Sequence, residues 1–113
     1  MNLQDIINRL NLEILTNKKD FGSVIPSGAY CSDLLSCVMS GAQHQSLWIT
    51  LQCHGNIVAV AALLDLTAII ITENAQPDPE TIAKANEEGI TILSSEQKNY
   101  EVCGHLWELG LHS

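Results

Sequence analysis

The chain has 113 residues and a formal net charge of −8, from five Lys and Arg against thirteen Asp and Glu. That length suits one domain over residues 1–113, able to bury roughly 65% of its unfolded surface around one core. A hydrophobic share of 46% argues against disorder, and the five scattered cations Arg9, Lys18, Lys19, Lys84 and Lys98 argue against nucleic acid or an anionic membrane as partner.

Leu3, Ile6, Ile7 and Leu10 recur at helical spacing, so residues 2–10 read as a short amphipathic helix. Leu12–Leu15 reads as a strand, and Asn17–Asp20 as a turn. Val24 and Ile25 suggest a second strand, ending at Pro26-Ser27-Gly28. Ser32 or Asp33 can cap a helix through Leu34, Leu35, Val38 and Met39 that stops at Gly41.

The next stretch is the most informative. Leu47–Leu51 is an apolar strand, Gln52-Cys53-His54-Gly55-Asn56 a polar turn, Ile57–Leu66 an Ala- and Leu-rich helix, and Ala68–Thr72 a β-branched strand. A buried parallel pair needs such runs, because both faces of its sheet are covered. Asp78 with Pro79 starts a helix that ends at Glu88 before Gly89; Ile90, Ile92 and Leu93 form a strand. Ser95, with Lys98 or Asn99, opens a last helix through Val102, Leu106 and Leu109 to Gly110. The alternation implies an α/β fold, a three-layer α/β/α sandwich with a small, mostly parallel sheet of about five strands. Its core is expected at Ile49, Leu51, Ile57, Val60, Leu64, Ile69, Ile70, Ile71, Ile92 and Leu106.

The longest apolar run, Ile57–Ile71, is interrupted by Asp65 and Thr67 and is short of the roughly 20 residues of a membrane span. The amino terminus lacks a basic segment followed by an apolar one, so no secretory signal is read. Cys31, Cys37, Cys53 and Cys103 have no CxxC spacing. They are expected to be reduced thiols of a cytoplasmic protein.

In a parallel sheet the loops after the strands share one edge, where ligands of open α/β sheets bind. The expected rim is Gly28 and Tyr30 after the second strand, His54, Gly55 and Asn56 after the third, and Thr72 and Glu73 after the fourth. The same residues also suit plain turn and cap chemistry, and both uses stay open. Cys53 and His54 could be a metal pair or an activated thiol, and Glu73 with Asp78, Glu80, Glu87 and Glu88 forms a loose acidic group of the kind that runs acid–base chemistry; no CxxC or HxxxH partner is present, so no metal and no cofactor is expected.

The stretches GAYCSDLLSCVMSGA, LWITLQCHGNIVAVAALLDLTAIIITENAQPDPETIAKANEEGITIL and EVCGHLWELGL together resemble the DRTGG-like domain family, from about residue 24 to 111. Similar modules occur free-standing. They are also found fused to phosphotransacetylases and CBS-containing pyrophosphatases, and before the kinase domain of HPr kinase/phosphorylase. The resemblance implies a regulatory accessory domain that pairs with its own copy and senses a small anionic or nucleotide-like ligand. At the motif positions this chain has Cys53-His54-Gly55-Asn56 and Thr72-Glu73-Asn74, without the family's basic residue. No Gly-Lys-Ser or Gly-Lys-Thr is present, so the kinase chemistry of the HPr relatives is not implied. The reading is a non-catalytic homodimeric module. An enzyme using His54, Cys53 or Glu73, or a protein-partner subunit in a redox-enzyme cluster, are the alternatives. The expected dimer contacts are Val58, Ala61, Ala62 and Asp65, with Tyr30–Leu35.

Overall fold

The buried runs around residues 47–72 fold into the centre of a five-stranded sheet. In the computed structural model, which describes residues 1–112, β3 (Leu47–Thr50) and β4 (Ala68–Ile71) pair in parallel and are buried at every position. β2 (Ala29–Cys31) adds in parallel beyond β3, and β5 (Ile92–Ser94) beyond β4. β1 (Glu13–Ile14) closes the far edge antiparallel to β5, giving the order β1-β5-β4-β3-β2.

Alternation along each strand divides the core. Leu47, Ile49, Ala68, Ile70 and Leu93 face α1 (Leu3–Leu10) and α5 (Asn99–Glu108). Trp48, Ile69, Ile71 and Ile92 face the layer of α2 (Leu35–Gly41), α3 (Asn56–Leu63) and α4 (Pro79–Glu88). The three-layer α/β/α sandwich with a mostly parallel sheet is therefore the observed fold. The helix α3 lies between α2 and α4 and over the sheet. That explains why it is apolar on nearly every side.

The ends of the elements follow cap chemistry. Asn2 accepts the Asp5 N–H at 2.8 Å to start α1, and Asp78 accepts the Thr81 N–H at 2.8 Å to start α4. Gly89 ends α4 at φ 72°, the left-handed conformation that glycine adopts without a Cβ penalty.

Three sequence expectations fail. Val24 and Ile25 form no strand: the Val24 carbonyl accepts the Leu3 N–H at 2.7 Å, and Ile25 is 68% exposed. The strand lies instead at Ala29–Cys31, which lacks β-branched residues. Leu51 and Leu64 leave the core, because β3 ends at Thr50 and α3 at Leu63; Leu51 is 41% exposed and Leu64 half-buried. Val58 and Ala61 are fully buried within the chain, so close helix–sheet packing, not a partner, uses their small faces; Ala62 and Asp65 are exposed. Among the described residues, no helix is long and apolar enough to cross a membrane.

Candidate functional site

The carboxyl ends of β2, β3, β4 and β5 lie on one edge of the sheet, and polar side chains tie the loops leaving it. Thr50, the last residue of β3, donates its hydroxyl to Asp33 Oδ1 at 2.7 Å; the Leu51 N–H reaches the same oxygen at 2.9 Å. Gln52 returns its side-chain amide to the Asp33 carbonyl at 3.1 Å. The Asp33 carboxylate therefore staples the loop after β2 onto β3 and does not cap α2. That helix begins after Leu34 without a side-chain cap, and Ser32 Oγ accepts the Leu34 N–H at 3.1 Å.

After β3 the chain passes Cys53 and His54 to Gly55, and α3 starts at Asn56 with no side-chain cap. His54 and Asn56 are exposed, and Gly55 is half-buried. The turn rests on the start of α4. Thr81 Oγ1 lies 2.9 Å from Asp78 Oδ1 and 3.4 Å from the Cys53 carbonyl, so its single proton favours the carboxylate. The Thr81 N–H first, then its hydroxyl, hold the Asp78 carboxyl below the usual carboxylate range; the Glu80 N–H and the charge of His54 add to this. Cys53 moves the other way. Burial first, then the charge of Asp78, push its thiol up, opposite to what a nucleophile needs.

Thr72, which follows β4, is buried. Its hydroxyl contacts Asn99 Oδ1 at the start of α5 and lies 3.4 Å from the Thr50 carbonyl. Glu73 and Asn74 both adopt left-handed backbone, φ 57° and 56°. Their N–H groups donate to the Gln97 carbonyl at 2.8 Å and the Ser95 carbonyl at 3.0 Å. Two successive non-glycine residues in this region carry strain, and these two hydrogen bonds hold them there.

The topology marks one place on this edge. β4 continues into α4 on one face of the sheet, while its neighbour β5 continues into α5 on the other. Adjacent loops that diverge to opposite faces open a crevice, the usual ligand position in open α/β sheets. A cavity of about 390 Å³ lies on the β5 side, lined by Asn11, Glu13, Asn74, Ser95, Glu96 and Gln97 among others.

The structure therefore gathers His54, Gly55, Asn56, Thr72 and Glu73 on one edge and separates two expected members from them. Gly28 precedes β2, and its carbonyl accepts the Leu47 N–H at 2.9 Å, so it lies at the opposite edge. Tyr30 is inside β2, paired with Trp48, and its ring covers the end of α2: a Cβ on Gly41 would lie 2.7 Å from its hydroxyl. Both displacements follow from the shift of the second strand from Val24–Ile25 to Ala29–Cys31. The reading from sequence missed Asp33, Thr50, Thr81 and Asn99. One signal was available: both buried runs, LWIT and AIIIT, end on threonine.

The model of the DRTGG domain matches residues 5–109. No curated protein matches the sequence. A similar solved structure is the CBS and DRTGG regulatory region of Clostridium perfringens pyrophosphatase, in complex with the activator diadenosine tetraphosphate. It superposes with a TM-score of 0.75 at 17% identity over 93% of this chain, and the match covers 45% of its own length. The chain thus corresponds to less than half of that protein, and the likeness is one of fold.

Proposed function

The chain belongs to the DRTGG domain family, and from that premise we propose that it is a non-catalytic regulatory and interaction module, one domain over residues 1–113. In this reading it is a cytoplasmic homodimer that takes a small anionic, nucleotide-like ligand at the carboxyl edge of its sheet. The observation that carries the proposal is how the polar side chains of that edge are engaged. Asp33, Thr50, Thr72, Asn99, Asp78 and Thr81 bond to one another or to loop backbone. They fix the rim instead of presenting an acid, a base and a nucleophile to a substrate. The start of α3 at Gly55 and Asn56, beside His54 and without a side-chain cap, is the part that suits an anion: the Ile57 and Val58 N–H groups bond the His54 and Gly55 carbonyls, which leaves those of Gly55 and Asn56 to face a ligand. Thr72 and Glu73 complete the rim from the adjacent strand. The nucleotide activator of the pyrophosphatase regulatory region supports this ligand class.

Calorimetric titration with adenine nucleotides, diadenosine tetraphosphate and inorganic phosphate tests the ligand. Binding to the native chain that weakens at least about tenfold in His54→Ala supports the site, a loss of about 1.4 kcal/mol. Silence across the panel at millimolar concentration rejects the ligand. Hydrolysis or phosphotransfer that disappears in the same variant rejects the non-catalytic reading.

A further inference from the structure

Away from the loop rim, β2 forms the free edge of the sheet. Cys31 ends this strand in register with Ile49, whose side chain faces the α1–α5 layer. Alternation thus directs Cys31 toward α5, while Tyr30 packs with the opposite layer. On α5, Cys103 stands beside the buried Val102 and packs against that same core. The two cysteines line one hollow of about 130 Å³, together with Ala29, Ile49, Leu106 and Trp107. Within it the Cys103 thiol acts electrostatically on that of Cys31. Both are free thiols; Cys31 is exposed and Cys103 half-buried.

We propose that Cys31 and Cys103 form a reversible intramolecular disulfide, which makes the junction of β2 and α5 a thiol-oxidation site for low-molecular-weight disulfides of the glutathione class. The inference stands apart from the ligand reading, since it uses neither the loop rim nor a nucleotide.

The order of events follows from the pair. Although Cys31 is exposed as a residue, partial desolvation of its thiol first, then hydrogen bonding and charge from Cys103 and the charge of Asp33, push it up to about 12. Cys31 therefore keeps its proton at neutral pH, and Cys103 is the attacking sulfur. As a thiolate, Cys103 attacks one sulfur of the small disulfide, forms a mixed disulfide and releases one small thiolate. Cys31 then gives its proton to water and attacks Cys103 Sγ, and the second small thiolate leaves. Two protein thiols are oxidised, and one small disulfide is reduced to two thiols. The bond pins the free edge strand to the last helix.

The test uses the full chain carrying Cys37→Ser and Cys53→Ser, incubated at neutral pH with oxidised glutathione and read by intact mass without reductant. The expected product is a single chain lighter by about 2 Da, with no titratable thiol and no glutathione adduct, and with full reversal by dithiothreitol. With Cys31→Ser added, Cys103 is expected to retain one stable adduct. Stable adducts on the parent pair, linkage between chains, or two thiols that persist under conditions oxidising the denatured chain would each overturn the proposal. Peptide mapping of oxidised wild-type protein gives an independent reading, in which a fragment joining residues 31 and 103 is required.

Discussion

Asp33 and Asp78 are both loop aspartates before a helix, yet they do different work. Asp33 accepts from Thr50 and Leu51, residues 17 and 18 positions further along. Asp33→Ala leaves both donors without this acceptor, and a loss of about 1–3 kcal/mol in urea unfolding is expected. Asp78 is a local cap whose carboxyl lies below its ordinary value in the fold. The fold favours its ionised form. The resulting stabilisation is present above the ordinary carboxylate pKa and is lost as pH falls through the lower folded value. Asp78→Asn is expected to flatten the acid side of a plot of Tm against pH. Because the charge of Asp78 also raises the Cys53 thiol, the same substitution should speed alkylation of Cys53 at neutral pH, by less than about tenfold. A local cap such as Asp78 is legible in sequence, since its signal lies within four residues. A carboxylate whose partners lie on another strand is not, and Asp33 therefore reads as a helix cap.

At the scale of elements, legibility follows how strongly a segment is patterned. The buried runs of β3 and β4 and the Asp-Pro…Gly frame of α4 appear in the structure where the sequence places them, each strand one residue shorter than read. β2 has three residues at the sheet edge, with no β-branched side chain, and the neighbouring Val24-Ile25 mimics a strand better than β2 does. That single misplacement carried Gly28 and Tyr30 into the expected site. Two glycines test the backbone argument in opposite directions. Neither a Cβ on Gly89 nor one on Gly104 would meet an atom within 4 Å. Gly89→Ala places a side chain at φ 72° and should destabilise by about 1 kcal/mol. Gly104→Ala, inside α5, should stabilise by roughly 0.5–1 kcal/mol. Thermal unfolding of the two variants separates conformational strain from packing, since packing is unchanged in both.

For the whole molecule, the open question is pairing. Leu34 at 60% and Trp107 at 59% exposure lie near the β2 side of the fold, with Leu51 close by at the end of β3. Exposed apolar side chains on either side of a free sheet edge suit an isologous contact, in which each copy offers the same surface. Light scattering at micromolar concentration is expected to give twice the 12.3 kDa chain mass, and Leu34→Glu is expected to return the monomer with its circular dichroism intact. A native chain that stays at 12.3 kDa on concentration would remove the dimer. The sequence announced an excess of apolar surface but not its location. Of the two segments it pointed to, α3 is buried between α2 and α4 through Val58 and Ala61, while Tyr30–Leu35 contains the exposed Leu34.

The antiparallel closure of β1 on β5 sets a timetable for synthesis. Thr16 accepts the Ile92 N–H from 76 residues away, Asn17 donates to Asn86 from 69 away, and α1 meets Val102 and Leu106 in its core. The β2–β5 run can add strand by strand as it leaves the ribosome, each new strand lying beside the last. The first segment must wait for most of the chain, on the order of 5–20 s at ordinary elongation rates. An eight-residue helix does not persist alone in water. During that wait, Leu3, Ile6, Ile7 and Leu10 are strung along a disordered leader, not displayed as one greasy ridge, which limits what passing chaperones or sister chains can seize.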